Sequence, residues 1–171
     1  MSEWTKGFIS GLFATLIGFM LTVLWETFKS FREKRQKDKI VRKLIVDVLT
    51  ENIATITEIN IFLEQELLAI QTRQSIVTNM TILNSDIWDL VKFHIPDDLL
   101  KSNEMLKRLQ AISGKVKRIN ESIHSRESYR LSNQAMDNYS RRLKIYDELI
   151  MSENTKLLGL IDSFLTDYQK K

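Results

Sequence analysis

The chain contains no cysteine, a single proline (Pro96) and five glycines in 171 residues. Without cysteine there is no disulfide framework, no thiolate metal site and no Cys nucleophile. Proline and glycine are the residues that most disfavour helix interiors, and their scarcity leaves long periodic stretches unbroken. An all-α fold is the expectation. No glycine-rich phosphate loop, paired-glycine fingerprint or nucleophile elbow occurs. The two histidines, His94 and His124, each lack a second ligand at helical spacing. His94, beside Ile95-Pro96, reads as a turn residue and His124 as a surface residue near a helix end. Asp97 and Asp98 follow Pro96, where they complement a helix dipole. Glu51, Glu58 and Glu66 have no Glu-x-x-His companion that would make a carboxylate metal site in a bundle. No catalytic, cofactor-binding or metal residues are therefore assigned, and the protein is expected not to be an enzyme.

An excess of charge of one sign is also missing from most of the chain. The formal net charge is +3, but residues 29–43 alone hold eight Lys and Arg against Glu33 and Asp38. The remainder, from residue 44 on, carries 16 basic and 18 acidic side chains. A general polyanion-binding surface would spread its basicity, so nucleic acid is not an expected partner.

What precedes the basic run explains it. Residues 7–25, "GFISGLFATLIGFMLTVLW", contain no charge. As a helix rising about 1.5 Å per residue they would span roughly 28 Å, close to the hydrocarbon thickness of a bilayer. Trp4 and Trp25 flank the run at the positions where aromatic rings favour the headgroup level. The following "LWETFKSF" offers no small-residue cleavage site, so an uncleaved anchor is expected rather than a signal peptide. Lys29, Arg32, Lys34, Arg35, Lys37, Lys39, Arg42 and Lys43 outweigh the single Lys6 before the run. This places the N-terminus outside and the rest in the cytoplasm of a single-pass cell-membrane protein. The same side chains would attract anionic headgroups. Gly7, Gly11, Ala14 and Gly18, with Ser10, supply small residues at the spacing that permits close packing of membrane helices.

Three domains follow from this reading: an anchor (1–28), a basic juxtamembrane segment (29–43) and a cytoplasmic helical part (44–171). In the last, Leu49, Ile53, Ile56, Leu63, Leu67 and Ile70 recur by threes and fours, with Asn60 either setting register or lying at the seam's edge. Polar residues predict a loop near 72–84, and Asn84 or Ser85 a cap for a short helix carrying Trp88. Pro96 and two acids open a helix whose stripe is Met105, Leu109, Ile112, Val116, Ile119 and Ile123. Gly114 lies just off this stripe. Residues 124–134 read as a turn. A last helix carries Tyr139, Leu143, Tyr146, Ile150, Leu157, Leu160 or Ile161, Phe164 and Tyr168, with an interruption at Glu153 and Asn154. The expected architecture is an N-terminal transmembrane helix followed by an antiparallel three-helix bundle or coiled-coil hairpin with a short extra helix.

Trp88, Lys115, Lys117, Arg118, Arg126 and Arg130 form a candidate partner surface. The alternative is an anchoring Trp88 and a solvated basic face balanced by Glu121 and Glu127. The Trp-Glu at 25–26, the basic stretch, the long helix, Leu83-x-Ser85-x-Ile87-Trp88-x-x-Val91 and Ile119-Asn120 together resemble uncharacterised prokaryotic single-pass membrane proteins with a cytoplasmic helical bundle. Those proteins usually have Thr and Ala where Ser85 and Ile87 stand, and a Gly after the Trp segment that this chain lacks. The resemblance implies architecture alone. The expected function is a membrane-tethered, non-enzymatic scaffold binding a protein partner or itself. The alternative is a signalling or stress-defence component that passes a membrane-proximal signal along a continuous helix.

Overall fold

Few breakers and long apolar rhythms give helix over most of the chain that the structure, a computed structural model, describes. It describes residues 3–72, 80–132 and 138–169, and the backbone alone for 3–10, 12–14, 71, 72 and 93. The elements are α1 (Glu3–Thr72), α2 (Ile87–Phe93), α3 (Asp97–Lys101), α4 (Asn103–Ser132) and α5 (Tyr139–Gln169). Two compact units divide the chain, residues 1–40 and 41–171.

The described residues of the first unit are helix alone. Leu16, Ile17, Phe19, Met20, Leu21, Val23, Leu24 and Trp25 are all at least 44% exposed, and their successive positions carry apolar surface around the whole helix. Among the described residues no helix is long and apolar enough to cross a membrane. Trp4, Gly7 and Ala14, named above, lie outside the residues whose side chains are described.

In the second unit α1, α4 and α5 share one core. Arg108 near the start of α4 pairs with Asp167 near the end of α5, and Arg126 near the end of α4 with Asp147 near the start of α5. These two helices are therefore antiparallel. Asn60 and Glu66 of α1 reach Asn154 and Arg126 respectively, so this part of α1 runs against α5 and parallel to α4. The passage through α2 and α3 makes that parallel pairing possible, where a short turn would have imposed an antiparallel one.

The buried residues of α1 are Ile45, Leu49, Asn52, Ile56, Ile59, Leu63, Glu66 and Ala69. This seam differs from the expected one: Ile53, Leu67 and Ile70 are only partly buried. The true stripe keeps its alternation of fours and threes by accepting Asn52 and Glu66. In α4 the same rhythm continues past Ile123 through Arg126 and Arg130, both buried. The turn expected at 124–134 is accordingly helix up to Ser132, because paired charges prolong the packed face. In α5 Asp147 and Asn154 are fully buried, so Asn154 continues the helix seam where an interruption was expected. A helix break does occur at Ser102, whose extended backbone ends α3 while its Oγ accepts the Met105 N–H at 3.4 Å, an N-cap for α4.

Two asparagines hold the connection that crosses this core. Asn52 Nδ2 donates to the Asn84 carbonyl at 2.9 Å and its Oδ1 accepts the Asn84 N–H at 2.7 Å. Asn120 treats Leu83 the same way, accepting its N–H and donating to its carbonyl, both at 2.8 Å. Each side-chain amide replaces the pairing a neighbouring strand would give, which a buried non-helical backbone requires. Leu83, 1% exposed, fills the core below. Asn120→Ala should lower the unfolding free energy by about 2 kcal/mol, the range for a buried polar group left unpaired. Urea denaturation reads the loss, and amide exchange at Leu83 should accelerate; unchanged exchange there would count against the clamp.

Candidate functional site

The charged residues of the second unit fall into a buried set and an exposed set. The buried set lies where the late part of α1 meets the end of α4 and the start of α5. Arg126 is fully buried. Its Nε donates to Asp147 Oδ1 at 2.6 Å, its Nη1 to Glu127 Oε1 at 2.5 Å, and its Nη2 faces Glu66. The Phe62 ring lies 5.7 Å from the guanidinium. Arg130 adds a second guanidinium, bound to Glu127 at 2.7 Å. Three carboxylates thus surround two guanidiniums. Burial pushes the Asp147 carboxyl above its ordinary range, against the opposing pull of Arg126. Its Oδ2 has no hydrogen-bond donor among the described residues. Tyr129 stacks on Tyr139 beside this layer, with centroids 5.9 Å apart.

A second polar layer lies about two turns away, where Asn154 Nδ2 donates to Asn60 Oδ1 at 2.8 Å. Asn60 is therefore partly buried and engaged across helices rather than idle at the edge. Charges paired across three helices hold them in register; no group of three or more metal-capable side chains occurs among the described residues.

The candidate partner surface is divided by this arrangement. Arg126 and Arg130 lie inside the protein and cannot meet a partner, a correction whose cause is their pairing with Glu66, Asp147 and Glu127. Trp88 is half-buried against the core. Lys115 is bound to Glu153 at 2.7 Å. Lys117 and Arg118 are exposed. Of the juxtamembrane set, Trp25, Lys29, Arg32, Lys34, Arg35, Lys37, Lys39 and Lys43 are exposed, while Arg42 pairs with Asp98 at 3.0 Å. Adding a side chain at Gly11 or Gly18 would meet nothing within 4 Å, so these faces are open. His94 is half-buried and His124 exposed. His124 joins Ser125, Ser128, Tyr129 and Ser132 in a shallow open depression on α4.

Glu66, Asp147, Asn52 and Asn120 escaped the sequence reading because polar letters do not register in an apolar count. For Glu66, Asp147 and Asn52 the signal was the unbroken alternation of fours and threes through them; Asn120 lies one residue off the α4 stripe and gave none.

No protein family, curated protein or solved structure matches the chain.

Arg126→Leu should destabilise the protein by about 3–5 kcal/mol, because Glu66 and Asp147 remain buried without their counter-charge. The triple replacement Glu66→Leu, Arg126→Met, Asp147→Leu should recover most of that loss, since an apolar layer needs no compensation. Urea unfolding of both variants checks the coupling. At the surface, Glu153 is held down from 4.5 to about 2, first by its hydrogen bond to Lys115 and then by Lys156. A depressed acid stabilises above its unfolded value and loses that contribution as the pH falls toward the folded one. Glu153→Gln should therefore flatten the loss of stability between pH 4.5 and about 2, read as the urea midpoint at each pH.

Proposed function

We propose that this chain is a membrane-tethered, non-enzymatic helical module that presents a cytoplasmic bundle for association with a protein partner or a second copy. The observation that carries the reading is the described part of the uncharged run. From Leu16 to Trp25, large apolar side chains stand exposed on every side of the helix. A soluble helix with one covered face would show a polar side; a helix apolar all round needs an apolar surrounding.

The basic segment supports the same orientation. Lys29, Arg32, Lys34, Arg35, Lys37 and Lys39 point around the full circumference of α1 rather than along one side. An amphipathic helix lying in the interface would segregate them onto its polar face. A helix crossing the headgroup layer meets lipid in all directions and uses basic residues in all directions. Juxtamembrane cations retain the cytoplasmic side and add about 1 kcal/mol each of attraction to anionic lipid. The absence of cysteine makes the topology directly measurable. With Ser2→Cys, a membrane-impermeant maleimide should label intact cells; with Ser152→Cys it should label only after lysis. The protein should resist carbonate extraction, and Leu16→Arg with Leu21→Arg should release it. Labelling of Ser152→Cys in intact cells, or full extraction of the unmodified protein, would sink the reading.

A further inference from the structure

The outer faces of α1 and α4 carry opposite charge at matching heights. Between residues 44 and 72, α1 contains no Lys or Arg. Its exposed side shows Asp47, Glu51, Glu58 and Glu64, with Ile61 and Leu68 51% and 62% exposed. On α4 the exposed side shows Lys107, Lys117 and Arg118, with Glu121 among them and Glu104 paired to Arg108. Among the described residues neither Asp47 nor Glu58, nor Lys107 nor Arg118, has an ion pair. The contact of Glu66 with Arg126 fixes the register of these parallel helices. Stepping back equal numbers of residues from it brings Glu58 level with Arg118 and Asp47 level with Lys107. Stepping forward brings Leu68 level with Ser128, one wall of the depression formed with His124, Ser125, Tyr129 and Ser132.

We propose that copies of this chain associate side by side, the outer face of α1 in one copy seated on the outer face of α4 in the next. Copies tethered to one membrane share one orientation, so α1 and α4 run parallel across the contact and the three matched levels meet together. Asp47 and Glu58 face Lys107 and Arg118, and Leu68 enters the depression, whose serines are small enough to admit it. The α1 face repels its own kind, since α1 against α1 sets acid on acid, whereas α4 offers it Lys107, Lys117 and Arg118. Charge pattern thereby selects the unlike pairing. Such a contact is heterologous, so it propagates into a ring or row rather than ending at a symmetric dimer. The proposal rests on the tethered-module reading and names the second copy as its partner.

The cysteine-free chain permits a direct test in vesicles of phosphatidylethanolamine and phosphatidylglycerol, read only on protein that floats with the lipid. Glu58→Cys mixed with Arg118→Cys should give a cross-linked dimer with a short bis-maleimide, and neither alone should do so. The chain carrying both substitutions should give a ladder. Leu68→Cys with Ser128→Cys should cross-link likewise. Reversing Asp47 and Glu58 to Lys in the Leu68→Cys copy should cut that yield about tenfold. Reversing Lys107 and Arg118 to Glu in the other copy should restore it. All these positions are exposed, and circular dichroism confirms that helix is retained. Self-cross-linking of Glu58→Cys alone would establish a symmetric contact and overturn the proposal, as would lipid-bound protein that gives no cross-link. Protein that fails to float overturns the tether instead.

Discussion

A guanidinium cannot be left alone in a protein interior. Arg126 is buried where the late part of α1, the end of α4 and the start of α5 converge, and its three donor directions are taken by carboxylates from all three helices. An apolar layer tolerates sliding by a turn, since one Leu is much like another. A fork of N–H groups matched to Glu66 and Asp147 does not. The same layer therefore fixes helix order, direction and height, and the asparagine pair about two turns away repeats the constraint with neutral groups. Such layers contribute specificity more than net stability, because desolvation offsets much of their attraction.

With the register fixed at that end, most of the remaining core of the second unit is apolar filling. Ile45, Leu49, Ile56, Ile59 and Leu63 face Leu109, Ile112, Val116, Ile119 and Ile123, with Ile150, Leu157, Ile161 and Phe164 completing the core. Each such side chain contributes about 1.5–3 kcal/mol when buried. The parallel relation of α1 and α4 then obliges the chain to return along the core, and the segment around Leu83 does so.

The helical class was legible from composition, and the α4 stripe from Met105 to Ile123 was read correctly residue by residue. The α1 seam was misread where apolar residues flank the stripe. Ile53 and Leu67 attract the eye, yet the buried positions are Asn52 and Glu66, which bury by virtue of partners far away in sequence. The same limit hid Asp147 and made Arg126 and Arg130 look like surface charge. A one-dimensional pattern shows where a side chain points, but its pairing across helices depends on which helices are neighbours. The parallel arrangement of α1 and α4 was likewise invisible until the connecting segment could be followed.

Asn52 and Asn120 grip the peptide groups of Asn84 and Leu83, which every residue except proline supplies in full. Side-chain identity at the outward positions of residues 80–86 is thus largely uncoupled from anchorage. Apart from Leu83, Met80 against the core and Asn84, whose side chain bonds Glu51 and the Asp86 N–H, this stretch is a place where sequence drift is cheap, and new surface chemistry can be written on it without loosening the helices beneath.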